Sequence, residues 1–95
     1  MNEEYFILFR KILKIRNYSE SSISSYINAL IQFQRWNSLD NNLSKDILFD
    51  YVEFLTEQSR SYSYIKNSIM ALKLYSELIM GVSIKNDYLR SIKRA

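Results

Sequence analysis

Residues 16–36 read RNYSESSISSYINALIQFQRW and combine a helix start with a helical repeat of apolar residues. The polar turn Arg16-Asn17-Tyr18 leads to Ser19, a residue type whose hydroxyl oxygen caps helix N-termini. Beyond it, apolar residues recur at helical spacing, namely Ile23, Tyr26, Ile27, Leu30 and Phe33 or Gln34. The stretch predicts an amphipathic helix over about residues 19–36, roughly 27 Å long at about 1.5 Å per residue.

Three more helices are predicted from the same signals of capping and periodicity. A first helix covers residues 3–15, a third runs from a cap at Ser44 to about Gln58, and a fourth covers about 62–80 before Gly81 stops it. Their apolar stripes are Phe6, Phe9, Ile12 and Leu13 in the first, Ile47, Leu48, Tyr51, Val52 and Leu55 in the third, and Ile65, Ile69, Leu72 and Ile79 in the fourth. The short connections imply antiparallel packing between neighbouring helices.

The composition favours an all-α fold. The chain of 95 residues has no Pro and one Gly, whereas small β domains need turn residues about every 8–12 positions. We therefore predict a compact four-helix bundle over residues 1–81. Residues 82–95 are predicted to form a linker or a short terminal helix, capped by Asp87, that leads toward a further domain.

Several classes of function are excluded by what the sequence lacks. With no Cys and no His, the chain has no disulfide, no thiolate nucleophile, no Cys/His zinc site and no imidazole for acid–base chemistry. We expect no cofactor, no metal and no small-molecule substrate. No apolar run is long enough for a membrane span, and the acidic start Asn2-Glu3-Glu4 does not fit a signal peptide. These features predict a cytoplasmic protein without a membrane partner.

Two helix starts carry a similar pattern of a cation, an aromatic residue and hydroxyl residues. They are Arg16-Asn17-Tyr18-Ser19 and Arg60-Ser61-Tyr62-Ser63. Helix N-termini attract phosphate because their backbone N–H groups are unpaired and the helix dipole is positive there. The net charge is +3, and residues 44–59 are acidic, whereas residues 1–17 and 60–95 are basic. The pattern favours a long polyanion over a small ligand.

The order of these signals resembles the N-terminal core-binding domain of tyrosine recombinases, also called phage-type integrases. One helix of that family commonly carries Tyr-Ser, Ser/Thr-Ile/Leu, Tyr and Leu-x-x-Phe, matched here by Tyr18-Ser19, Ser22-Ile23, Tyr26 and Leu30-x-x-Phe33. The Ile/Leu-x-x-Tyr pattern of its third helix is matched by Ile47, Leu48 and Tyr51. The motif of its fourth helix is matched by residues 61–75, SYSYIKNSIMALKLY.

The resemblance implies a SAM-like helical domain that clamps double-stranded DNA together with a separate C-terminal catalytic domain. In that family the nucleophilic Tyr and the Arg/His/Lys cluster belong to the catalytic domain, so this chain alone is not expected to cut DNA. The full-length protein would be a recombinase or integrase of a bacterium, phage or mobile element. It would associate with further copies of itself on DNA.

We predict DNA contacts on the second and fourth helices, whose polar faces are expected to lie side by side and point outward. The candidate residues are Arg16, Ser19, Ser21, Ser22, Ser25, Arg60, Ser63, Lys66, Asn67 and Lys73. Hydroxyl, amide and cationic groups at these positions suit phosphate oxygens and base edges. Plainer roles stay open, because serines also cap helices, exposed lysines are commonly only solvated, and arginines also stack on aromatic rings.

Two other classes of function compete with DNA binding by a recombinase domain. A helical protein–protein interaction module would use the basic faces only for solubility, and its binding would be insensitive to salt. A helix-turn-helix regulator would need a tight turn, usually with Gly, before the second or fourth helix, and the sequence has none. The carboxylate pairs at Asp46 and Asp50 and at Glu53 and Glu57 fit a solvated face better than an active site.

Overall fold

The computed structural model describes residues 3–37 and 44–81, and these residues form four α-helices and one π-helical turn. The helices are α1 (Glu3–Ile15), α2 (Glu20–Trp36), α3 (Lys45–Glu57) and α4 (Tyr62–Tyr75), and the π-helical turn is Ser76–Met80. The predicted all-α class is confirmed, and the predicted fourth helix corresponds to α4 together with the π-helical turn. The linker or terminal helix predicted for 82–95 lies outside the described residues.

Serine caps explain where three of the helices begin. In each case the serine Oγ accepts a hydrogen bond from the backbone N–H three residues further along. The caps are Ser19 of α2, Ser44 of α3 and Ser61 of α4, with donor–acceptor distances of 3.1, 3.2 and 3.1 Å. Each cap satisfies one backbone donor that would otherwise be left unpaired and stabilises its helix by about 1 kcal/mol.

The ends of α1 and α3 share one turn geometry. Asn17 and Ser59 adopt left-handed backbone conformations, with φ of 66° and 58°. The next residue then donates its N–H back to the last turn of the helix, Tyr18 to the Leu13 carbonyl at 3.0 Å and Arg60 to that of Leu55 at 3.1 Å. This is the Schellman arrangement, and a serine cap follows it within two residues each time. Tight turns therefore precede α2 and α4, although the sequence, which has no Gly there, predicted none. The fold is therefore two helical hairpins closed by the same turn.

The core lies where α2 of one hairpin packs against α4 of the other. Its buried residues from these two helices are Ile23, Ala29, Leu30, Phe33, Ile65, Ser68, Ile69, Ala71, Leu72 and Tyr75. Small residues among them, such as Ala29 and Ala71, leave room for close packing of the helices. The Ser68 hydroxyl is satisfied because it donates to the Tyr64 carbonyl at 3.0 Å.

Outer elements complete the core from both sides. Phe9 and Leu13 of α1 are fully buried, and Phe9 meets Tyr75 edge to face with ring centroids 5.6 Å apart. From α3, the buried residues are Leu48, Tyr51, Val52 and Leu55. None of the helices within residues 3–37 and 44–81 is long and apolar enough to cross a membrane.

Candidate nucleic-acid interface

Two of the predicted contact residues meet across the junction of α2 and α4. The side-chain amide Nδ2 of Asn67 donates a hydrogen bond to Ser25 Oγ at 3.0 Å. Ser25 is exposed and Asn67 is half-buried, so the bond lies at the surface rather than within the core. It joins the polar sides of the two helices into one continuous surface.

The outer side of α2 is polar and uncharged over most of its length. Ser21, Ser24, Ser25 and Asn28 are exposed, and Gln32 is half-buried. Their spacing of three and four residues places them on one side of the helix. Ser24, Asn28 and Gln32 were not among the predicted contact residues, although the same spacing from Ser21 and Ser25 could have identified them.

Exposed side chains of α4 continue this surface. Ser63 and Lys66 are exposed; Ser63 lies one helical turn before the half-buried Asn67, and Lys66 is the residue next to it. We call the combined surface the α2–α4 face; it consists of Ser21, Ser24, Ser25, Asn28 and Gln32 of α2 and Ser63, Lys66 and Asn67 of α4. Lys73, also predicted to contact DNA, is half-buried further along α4.

The starts of α2 and α4 do not combine into one anion site. Ser25, early in α2, meets Asn67 in the middle of α4, whereas Trp36, at the end of α2, shares a cleft with Arg60 and Tyr64 at the start of α4. The two helices therefore run in opposite directions, and their N-termini lie toward opposite ends of the pair. The polar groups that the two helices bring together are the side chains of the α2–α4 face, not their N-termini.

The two sequence patterns at the helix starts place the capping serine at different positions within the pattern. Ser61, not Ser63, occupies the capping position that Ser19 has in α2. The Schellman turn at Ser59 fixes where α4 begins, and the predicted start of the fourth helix at about residue 62 is confirmed. Ser63 instead lies in the first turn of α4 with its side chain exposed.

Ser19 and Ser22 fulfil the plainer role that the sequence left open for serines. The Ser19 hydroxyl accepts from the backbone N–H of Ser22 at 3.1 Å and donates to Ser22 Oγ at 3.0 Å. This capping pair satisfies one of the N–H groups at the α2 start. Next to it, the exposed Glu20 carboxylate lies 3.9 Å from Lys14 Nζ, and its negative charge works against an anion at this end.

The two candidate arginines differ in their surroundings. Arg60 stacks on Tyr64, with its guanidinium carbon 4.7 Å from the ring centroid. This is the cation–π alternative, which leaves the edge of the guanidinium available to an anion. Arg16 is exposed in the turn between α1 and α2. Arg60 thus belongs to an aromatic cleft, whereas Arg16 stands in the loop beside the α2 start.

The aromatic cleft lies between the end of α2, α3 and the start of α4. Its volume is 320 Å³, and it is lined by Gln32, Arg35, Trp36, Tyr51, Phe54, Leu55, Gln58, Arg60 and Tyr64. Trp36 packs on Tyr51 and Phe54, with ring centroids 5.0 and 5.9 Å away. Trp36 is half-buried on the wall of this cleft.

Burial within the aromatic cluster raises the pKa of the Tyr51 hydroxyl. The pKa of Tyr51 is raised to about 12 by burial and by the neighbouring Tyr64, while Arg60 acts in the opposite direction. Burial, with a smaller effect of Tyr18, also raises the pKa of Tyr26, whose ring meets that of Tyr18 edge to face at 6.0 Å. Tyr18 and Tyr26 are both half-buried, at the edge of the core as predicted.

Replacing Tyr51 by Phe is expected to make the protein less sensitive to alkaline pH. Because the folded state holds the Tyr51 proton up to about pH 12 and the unfolded state loses it near pH 10, the stability that this proton provides is complete below pH 10 and is lost toward pH 12. The free energy of unfolding, measured by urea denaturation at pH 9 and 11, should fall less in Tyr51→Phe than in the parent. If the free energy of unfolding falls equally in both proteins, the raised pKa of Tyr51 would be contradicted.

The described residues offer no metal centre as an alternative site. Within residues 3–37 and 44–81, no three acidic side chains are grouped so that they could hold a metal ion. The α2–α4 face and the aromatic cleft beside it carry polar, cationic and aromatic groups suited to binding. Comparison of the chain with models of protein families, with curated proteins and with solved structures found no match.

Proposed function

We propose that this chain is the DNA-binding domain of a tyrosine recombinase or integrase, and that it holds duplex DNA while a separate catalytic domain exchanges strands. The observation that carries the proposal is the 3.0 Å hydrogen bond between Asn67 and Ser25, which makes one surface of two helices. The sequence resemblance supplies the recombinase context, and the all-helical fold is compatible with it.

The chemistry of the α2–α4 face suits DNA. Serine hydroxyls and asparagine and glutamine amides both donate and accept hydrogen bonds, as contact with phosphate oxygens and base edges requires. The 17 residues of α2 extend roughly 25 Å, longer than the major groove of about 12 Å is wide. Short side chains such as those of Ser21, Ser24 and Ser25 let the helix backbone come close to the duplex.

Few charges lie on or near this face, and this sets the expected affinity. Lys66 is the cation within the α2–α4 face. Of the other predicted cationic contacts, Arg16 and Lys73 lie outside the aromatic cleft and Arg60 lines it. Neutralising about three phosphates gives weak, largely nonspecific binding, with a dissociation constant in the micromolar range or above at physiological salt. Neighbouring copies on DNA and the catalytic domain would supply the remaining affinity of the full-length protein.

Salt dependence of DNA binding is the direct test. We expect the chain to bind a fluorescein-labelled duplex in an anisotropy titration, with an affinity that falls roughly 40-fold between about 50 and 200 mM NaCl, as release of counterions from about three phosphates requires. A polyglutamate of matched charge serves as the control for simple charge attraction. Absence of duplex binding at low salt, or binding that does not change with salt, would overturn the proposal.

A helical protein–protein interaction module is the second candidate, and α1 is the observation that favours it. Tyr5, Ile7, Leu8 and Ile15 of α1 are 48%, 51%, 46% and 79% exposed, although all are large apolar side chains. Exposed apolar residues grouped on one helix are typical of a surface that binds another protein. Under this alternative the same titration would show no duplex binding, and association with a partner would persist at high salt.

A further inference from the structure

We propose that the aromatic cleft is a site for a single unpaired DNA nucleotide, whose base would stack on the cleft's rings while its phosphate meets Arg35 and Arg60. The inference rests on the proposed function, because it assigns to the same DNA-binding surface a preference for duplexes that contain an unpaired base. It goes beyond that function, because a fully paired duplex has no base that can enter the cleft.

Ring faces in the cleft provide the stacking platform. Trp36, Phe54 and Tyr64 are each half-buried, so part of each ring borders the open volume. Tyr51 is 1% exposed and forms the floor, and its ring lies nearly parallel to that of Phe54, at 18° with centroids 6.1 Å apart. Aromatic side chains of this kind bind unpaired bases in many single-strand-binding proteins, because every base has a π-face.

The charges of the cleft select an anion. Arg35 and Arg60 are both exposed side chains of the lining, and no Asp or Glu lines the cleft. The Arg60 guanidinium carbon lies 4.7 Å from the centroid of the Tyr64 ring, and a guanidinium that stacks on a ring keeps N–H donors for an anion. A guanidinium edge pairs with phosphate in a bidentate manner. The cleft therefore combines a stacking platform with two phosphate-binding groups.

The remaining lining residues fit the polar edge of a base. Gln32 and Gln58 carry side-chain amides that donate and accept hydrogen bonds. The volume of 320 Å³ is near the lower end of the range of about 300–1,000 Å³ found for small-molecule sites. That space suits one ring system and excludes a folded protein element.

The cleft adjoins the α2–α4 face, which gives DNA a route to it. Gln32 belongs to that face and also lines the cleft, and Arg35 follows it three residues later on the same side of α2. A duplex lying on Ser24, Ser25 and Asn28 would pass beside the cleft opening. Bases within an intact stack stay out of reach, whereas a base without a partner rotates out at a lower energetic cost.

Trp36 makes the test specific, since it is the single tryptophan of the chain. The full chain is titrated with a duplex that contains one unpaired adenine and with the matching fully paired duplex, while Trp36 fluorescence and anisotropy of the labelled DNA are both recorded. We expect roughly tenfold tighter binding of the duplex with the unpaired base, from stacking of one base, and quenching of Trp36 by that duplex only.

Variants of Arg35 and Arg60 test whether the preference for the unpaired base depends on the cleft. Arg35→Gln combined with Arg60→Gln should reduce the preference to less than about twofold, since the phosphate-binding groups are gone. Arg10→Gln combined with Lys11→Gln removes the same charge from exposed positions on α1, outside the cleft, and should leave the preference unchanged. Loss of the preference in the α1 variant as well would overturn the proposal.

The outcomes separate this inference from the proposed function. Equal binding of both duplexes, with unchanged Trp36 fluorescence, would overturn the nucleotide site and leave duplex binding intact. Absence of binding by either duplex would overturn the proposed function and the nucleotide site together. If the peptide acetyl-Asp-Phe-Asp-amide quenches Trp36 fluorescence and neither duplex does, the nucleotide site would be overturned. The cleft would then be assigned to an acidic segment of a protein.

Discussion

Replacement of Lys66 by Glu is expected to lower the affinity for duplex DNA by at least about tenfold at 100 mM salt. Lys66 is an exposed member of the α2–α4 face, one residue before the Asn67 that bonds to Ser25. The substitution removes one phosphate contact and adds a repelled carboxylate, so the slope of log affinity against log salt should become shallower by about 1 to 2. Anisotropy titrations at several salt concentrations measure both quantities.

A matched control distinguishes position from net charge. Lys11→Glu makes the same change in net charge, but Lys11 is exposed on α1, opposite the side that carries the buried Phe9 and Leu13. We expect this variant to change the affinity by less than about threefold, because a screened charge beyond the contact surface acts weakly. Equal losses for the two variants would show that the α2–α4 face is not where the duplex lies.

Replacement of Phe33 by Ala is expected to destabilise the fold by about 3–5 kcal/mol. Phe33 is 1% exposed, and its ring meets that of Tyr51 edge to face at 4.9 Å and that of Trp36 at 5.7 Å. The truncation leaves a cavity, and it removes the ring contact with Tyr51 that joins α2 to α3 as well as the contact with Trp36 within α2. Because the free energy of unfolding of a domain is only about 5–15 kcal/mol, urea denaturation should show that this variant loses a large part of it.

Two further variants keep this prediction testable if Phe33→Ala does not fold. Phe33→Leu retains most of the apolar volume and should be destabilised less than the alanine variant. Ile15→Ala removes an apolar side chain that is 79% exposed, and its free energy of unfolding should change by less than about 0.5 kcal/mol. A loss below 1 kcal/mol in Phe33→Ala would mean that the aromatic cluster does not hold α2 and α3 together.

Helix boundaries could be predicted from the sequence because they depend on local chemistry. Ser19, Ser44 and Ser61 cap their helices through a backbone group only three residues away. Gly81 ends the last helical turn in a left-handed conformation with φ of 71°, which few other residue types adopt without strain. Signals of this kind are readable without knowing the tertiary structure.

Burial of small residues was harder to predict. Ala29, Ser68, Ala71 and Ser76 are all at most 3% exposed, yet none stood out in the apolar pattern. Small and polar residues contribute little to a hydrophobic stripe, so their burial follows from how closely α2 and α4 approach. The π-helical turn was likewise read as ordinary helix, because its wider hydrogen-bond pattern leaves no mark on the apolar repeat.

The candidate site was only partly predictable for a similar reason. Ser25, Lys66 and Asn67 could be selected from residue type and helical position, but the bond between Ser25 and Asn67 joins positions 42 residues apart. The aromatic cleft takes residues from α2, α3 and α4, and only their packing brings them together.

Contact between α1 and the π-helical turn Ser76–Met80 makes the first and last described elements neighbours. Tyr75, which precedes the turn, meets both Phe6 and Phe9 of α1, with ring centroids 6.5 and 5.6 Å away. Removing α1 would expose Tyr75 to solvent, and unwinding the turn would remove contacts that support α1. Loss of structure at α1 is therefore coupled to loss of structure at the turn, so these two elements are expected to unfold cooperatively.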